Sequence, residues 1–310
     1  MTHGQQSPSD STGRIVVSGL TKQYKQLRAV DNLSFTVQPG RVTGFLGPNG
    51  SGKTTTLRML LNLVTPTTGS ATFNGVRYAD LHDPVRHVGA VLEASSAHKG
   101  RTGLNHLRMI CVATGLPRSR ADEVLAMVGL TPAADRKFKG YSLGMKQRLG
   151  IAAAMLGDPQ VLILDEPANG LDPEGIRWMR DFLKSLAAEG RTVLVSSHLL
   201  SEMQLLADDV VIIAAGKLIQ QGPVGEVLHS ATARVRVRTP QADALAKALT
   251  EAQATVERPE PDLLVVTGAD APAIGRAALA AQAELHELVT DKPDLERVFL
   301  ELTAGKAGIR

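Results

Sequence analysis

Residues 47–54 read Gly-Pro-Asn-Gly-Ser-Gly-Lys-Thr, an unbroken G-x-x-x-x-G-K-[ST] string, and no other stretch restricts the fold so tightly. The string works only between a strand and a helix. Val42–Leu46 is apolar enough for a buried strand, and Thr54–Leu63 has helical composition with Leu57, Met59, Leu60, Leu61 and Leu63. Gly50 and Gly52 permit backbone angles that a side chain would forbid, so successive N–H groups along Gly47-Pro48-Asn49-Gly50-Ser51-Gly52, proline excepted, can turn inward onto phosphate oxygens. A helix opening at Thr54 and Thr55 adds the positive end of its dipole. Lys53 supplies a mobile cation for the outer phosphates, and the Thr54 hydroxyl suits Mg²⁺.

Val161-Leu-Ile-Leu-Asp165-Glu166 is the second informative string. Four apolar residues make a buried strand whose end delivers two adjacent carboxylates. Asp165 offers hard oxygen ligands to Mg²⁺, and Glu166 is placed to orient and deprotonate an attacking water. These features predict a nucleoside triphosphate and Mg²⁺ as ligands, with Lys53 and Glu166 in catalytic roles.

Strands at Arg14–Leu20, Leu33–Val37, Val42–Leu46, Val161–Leu164, Thr192–Ser196 and Val210–Ala214 alternate with helical stretches. That order predicts an α/β domain with a largely parallel central sheet. Between about residues 94 and 156 the text is helical only, as expected of a subdomain inserted between strands. After about Leu228 the texture changes to β-α-β-β-α-β, beginning with the alternating Arg234–Arg238 and ending in a helix at Asp294–Thr303. This predicts a small α+β unit of the split-βαβ kind. The expected division is a disordered polar tail over 1–13, an ATP-binding domain over 14–229 and an accessory domain over 230–310.

Composition narrows the class further. With 43% hydrophobic residues the 310-residue chain has ample material for packed cores. The longest apolar runs, such as Ile151–Leu156 and Val210–Ala215, are too short to span a membrane, and the first thirteen residues lack the apolar core of a leader. The single cysteine, Cys111, reads as a small buried hydrophobe. Lys and Arg number 34 against 31 acidic residues, and aromatics make up 3%, which argues against a nucleic-acid platform.

With further strings in a fixed order, residues 14–225 resemble the nucleotide-binding subunit of an ATP-binding cassette (ABC) transporter. Tyr24 stands where that family places an adenine-stacking aromatic. Tyr141-Ser-Leu-Gly-Met-Lys-Gln-Arg148 occupies the place of the signature LSGGQ-x-QR, Asn169-Gly-Leu-Asp172 that of the D-loop, and Ser196-Ser-His198 that of the switch histidine. The resemblance implies a P-loop cassette with an inserted helical subdomain. It also implies ATP and Mg²⁺ as ligands and two copies meeting head to tail, so that Ser142 and Gly144 of each close on the ATP held by the other. Separate membrane permease subunits and a place on the inner face of the cell membrane follow. Asp172 joins the nucleotide-contacting set. Glu93 stands where the family usually has glutamine, and a carboxylate there keeps an oxygen ligand for Mg²⁺ or water. Leu143 and Met145 depart from the signature, which predicts weaker closure.

The Glu93 variant, the appended unit and the text Leu295-Glu-Arg-Val-Phe-Leu-Glu-Leu-Thr303 resemble cassettes that export antibiotics, lantibiotics or other hydrophobic drugs. An importer subunit and a soluble non-transport ATPase are the alternative readings. One phosphate loop and the lack of sustained heptads weigh against the latter, while Glu166 and His198 weigh against a module that only senses nucleotide.

Overall fold

The computed structural model describes residues 13–92, 97–229, 234–291 and 294–303. Residues 1–12 of the expected tail, and Glu93, lie outside the described residues. Gly13, placed with the tail by composition, is fixed instead. Its N–H donates to Asn74 Oδ1 at 2.8 Å and its carbonyl accepts the Thr192 hydroxyl at 2.7 Å.

The described chain divides into two compact units that meet in sequence between Pro223 and Val224. In the first, the strands are β1 (Ile15–Tyr24), β2 (Leu27–Val37), β3 (Val42–Leu46), β4 (Thr68–Phe73), β5 (Val88–Val91), β6 (Val161–Asp165), β7 (Thr192–Ser197), β8 (Asp209–Ala214) and β9 (Lys217–Pro223). The helices are α1 (Lys53–Leu60), α2 (Gly103–Ala113), α3 (Ser119–Met127), α4 (Leu143–Ala154), α5 (Pro173–Ala188) and α6 (Leu200–Leu206).

The central sheet has the order β5-β6-β7-β3-β8-β9, parallel except for β9. Every residue of β3 and β7 is buried, as parallel strands covered on both faces require. An antiparallel sheet, β2-β1-β4, packs its apolar face over α1 and the central sheet. Phe35 and Phe45 stack there with ring centroids 5.3 Å apart, joining the two sheets directly behind the phosphate loop. Full burial of such a side chain stabilises by roughly 1.5–3 kcal/mol. β9 was not legible in the sequence: its residues are half-buried to exposed, and its apolar Leu218 and Ile219 are adjacent, so no apolar alternation marks it.

Parallel strands whose carboxyl ends share one edge create the binding crevice of an open α/β sheet. Here β3 runs into the phosphate loop, β6 ends in Asp165-Glu166 and β7 ends in Ser196-Ser197-His198. The register sets Asp165 beside Ser196, and Ser196 beside Phe45 of β3.

The second unit comprises α7 (Val224–His229), β10 (Arg234–Arg238), α8 (Ala242–Glu251), β11 (Thr255–Glu260), β12 (Leu263–Thr267), α9 (Ala271–Ala280), β13 (Glu287–Asp291) and most of α10 (Leu295–Thr303). Its boundary falls six residues ahead of the one expected at 229/230, because the chain turns from strand to helix at Pro223. The sheet is antiparallel with order β11-β12-β10-β13. Val235 and Val237 face a core with Leu245, Leu249, Leu264 and Ile274. The three arginines of β10 face the other way and pair with Glu301, Asp291 and Asp262. The Arg238 guanidinium holds the Asp262 carboxyl below its ordinary range.

Candidate active site

The loop between β3 and α1 is shaped by its glycines. Gly52 has φ +103°, and a Cβ there would lie 2.5 Å from the Ala29 carbonyl oxygen. At Gly47 a Cβ would meet Ser51 Oγ at 2.3 Å and the Ile213 carbonyl oxygen at 2.7 Å. Gly47 and Gly52 therefore have no room for a side chain. Ser51 Oγ is buried without a hydrogen-bond partner, a polar atom that a phosphate oxygen would satisfy.

Lys53 reaches back along the loop. Its ammonium donates to the carbonyls of Gly47 at 2.7 Å and Pro48 at 3.3 Å, and lies 3.7 Å from Glu166 Oε1. Burial pushes its pKa down, while Glu166 and Asp165 push it up, with burial the largest effect.

The two carboxylates sit in one hydrogen-bonded chain. Thr54 Oγ1 donates to Asp165 Oδ2 at 2.8 Å, and Ser196 Oγ donates to Asp165 Oδ1. The Glu166 N–H donates to Ser196 Oγ at 3.0 Å. Glu166 takes a left-handed φ of +49°, rare for a residue with a side chain. Its Oε2 accepts from the backbone N–H of His198 at 3.3 Å and lies 2.7 Å from His198 Nδ1. An ionised carboxylate only accepts, so Nδ1 carries the ring proton of that pair.

Lys53, Thr54, Glu166 and His198 border one open cavity of about 530 Å³, while Gly47, Ser51, Asp165 and Ser196 stand behind its lining residues. Of the residues singled out in the sequence, Tyr24, Pro48, Asn49, Gly50, Gly52, Lys53, Thr54, Thr55, Glu166 and His198 line it. Leu27 and Ala29 line it as well and were not singled out, and so does Asn169, named above only within the string 169–172. Sequence reasoning also passed over Ser196, which links both carboxylates; a serine ending a strand beside a histidine carries no signal of its own.

Ser142, Gly144 and Asp172 are not brought to that cavity. They line a separate one of about 370 Å³, together with Leu143, Met145 and Arg148. Ser142 caps α4, its Oγ accepting the Met145 N–H at 3.2 Å, and Asp172 caps α5, its Oδ1 accepting the Gly175 N–H at 2.8 Å. Leu143 lies against Gly170, where a Cβ would approach Leu143 Cδ2 to 2.4 Å.

Comparison with known proteins bears on the family and the fold. Residues 30–169 match the ABC transporter family, and residues 233–296 match a domain of unknown function, DUF8746. The daunorubicin/doxorubicin resistance ATP-binding protein DrrA of Streptomyces peucetius is 37% identical over 313 residues, covering 96% of this chain and 95% of its own. The chain belongs to the ABC transporter ATP-binding family. Over 212 residues this cassette is 44% identical to the bacitracin transport ATP-binding protein BcrA of Bacillus licheniformis, covering 67% of the cassette chain and 69% of BcrA. A dimeric ATP-binding cassette bound to ADP and Pi superposes with a TM-score of 0.61 at 25% identity, covering 68% of this chain and 98% of that one. No helix among the cassette's described residues is long and apolar enough to cross a membrane.

Proposed function

We propose that this cassette hydrolyses Mg-ATP in the cavity at the end of β3, and that two copies do so beneath separate membrane-spanning subunits that export a hydrophobic drug or antibiotic. The reading rests above all on the hydrogen-bonded chain Thr54–Asp165–Ser196–Glu166–His198 beside the phosphate loop.

In this reading the loop N–H groups and Lys53 hold the phosphates, and Tyr24 stacks on the adenine. Thr54 and Asp165 hold Mg²⁺, which when bound neutralises charge on the outer phosphates. Glu166 takes a proton from water as the water oxygen bonds to the γ-phosphorus and the bond from that phosphorus to the departing ADP breaks. His198 keeps the Glu166 carboxylate oriented. Ser142 and Gly144 sit at the start of α4, where an exposed helix N-terminus suits an anion. Lining a separate cavity, they serve the ATP of a second copy, and Asp172 lies at that same contact.

The names of the relatives, drug resistance and bacitracin transport, support export over import. Such a pair of copies would sit on the inner face of the membrane, peripheral to it. Lys53→Ala tests the reading. The folded variant should lose Mg-ATP binding, because no other loop residue brings a cation to the phosphates. Near-normal affinity and turnover would refute it.

A further inference from the structure

The edge of the cavity formed by β1 holds an arrangement that the phosphate chemistry leaves unused. Tyr24 is 46% exposed and lines the cavity. Lys22 lies two residues earlier on the same face of the strand. Its ammonium sits over the Tyr24 ring, 5.0 Å from the centroid, and donates to the Thr65 carbonyl at 2.7 Å. Neither Lys22 nor Thr65 lines the cavity. No carboxylate pairs with Lys22 among the described residues.

The same edge is fastened to the segment following α1. The Thr67 N–H donates to the Thr21 carbonyl at 2.8 Å, and the Gln23 N–H donates to Thr67 Oγ1 at 3.0 Å. Lys22 completes this clasp. The segment leading out of α1 thereby holds the strand end that carries the aromatic ring.

We propose that Lys22 is a positioning residue for base recognition: it holds the Tyr24 ring from behind so that the opposite face meets the adenine of a nucleotide whose phosphates lie in the loop. The proposal rests on the reading of this cavity as an ATP site. A cation behind the ring draws π-density from it, and the less electron-rich outer face stacks better on an electron-rich purine.

The test compares Mg-ATP with Mg-tripolyphosphate, which has the phosphates and no base. Lys22→Met keeps the aliphatic stem and removes the charge. Exposed cation–π contacts set the scale, so Mg-ATP affinity should fall about two- to fivefold. KM should rise with kcat unchanged, and tripolyphosphate affinity should stay constant. Lys22→Arg should behave as wild type. In a Tyr24→Ala background the Lys22→Met effect should vanish, since the cation then has no ring to hold. Wild-type Mg-ATP affinity in Lys22→Met, an equal loss for both ligands, or a full effect surviving in Tyr24→Ala would each overturn the role of Lys22. If the wild-type chain bound neither ligand in a Lys53-dependent way, the reading of the cavity itself would fail.

Discussion

Lys53 faces opposing demands. Its ammonium is 7% exposed, and burial lowers its pKa even though Glu166 and Asp165 act in the other direction. Phosphate binding needs the protonated form. Affinity for Mg-ATP should therefore decline with rising pH from a midpoint below the ordinary lysine value, as the free protein loses that proton. Isothermal titration across alkaline pH checks this, and an affinity that stays flat up to the ordinary lysine pKa would contradict it. Folding responds with the opposite sign. Between its folded and unfolded pKa values Lys53 binds fewer protons in the folded state, so its contribution to stability rises with pH there. Ser196 shows what residue-level reading misses. Its role arises from strand register, which sets it beside Asp165, and not from a motif. Removing its hydroxyl in Ser196→Ala deletes a charge-assisted hydrogen bond of about 1.5–3 kcal/mol. We expect kcat/KM for ATP to fall by roughly 10–100-fold with the fold intact. A loss under twofold would mean that Asp165 and Glu166 hold their places without it.

At the scale of elements, the phosphate loop separates two effects of glycine. Gly50, at φ +79°, has nothing within 4 Å of an added Cβ, whereas Gly52, at φ +103°, has the Ala29 carbonyl 2.5 Å away. Gly50→Ala should cost only the backbone strain of about 1–3 kcal/mol. Gly52→Ala adds a clash with rigid backbone, so its melting temperature should be the lower of the two; an equal or reversed order would contradict this packing. The elements legible in the sequence were those with a strong pattern. β3, β6, β7 and β8 are apolar runs, and α1 is fixed by the motif before it. Burial on both faces enforces such runs, so they survive without tertiary information. β9 pairs along a sheet edge through its backbone while its side chains stay largely in water, and it left no trace. The last strand, Glu287–Asp291, has its limits set by pairing with Arg234–Arg238.

For the whole molecule, all residues lining the main cavity lie between Tyr24 and His198, within the first unit. A chain ending at Pro223 should therefore bind Mg-ATP with the Kd of the full chain. A soluble, folded truncation with no affinity would show that the second unit completes the site. The fold class and phosphate loop were readable because one local string dictates both. That Ser142 and Gly144 lie apart from the phosphate loop followed from the family resemblance and not from any local string, since it depends on where α4 begins in space. Steady-state phosphate release by the wild-type chain and by Glu166→Gln, with Mg-ATP binding measured on the same samples, tests the proposed hydrolysis most directly. A general base contributes roughly 10²–10⁴ in rate. Glu166→Gln should keep its affinity, since Lys53, Thr54 and Asp165 are untouched, and lose turnover by that factor. A variant that binds ATP and hydrolyses it at the wild-type rate would remove Glu166 from the chemistry.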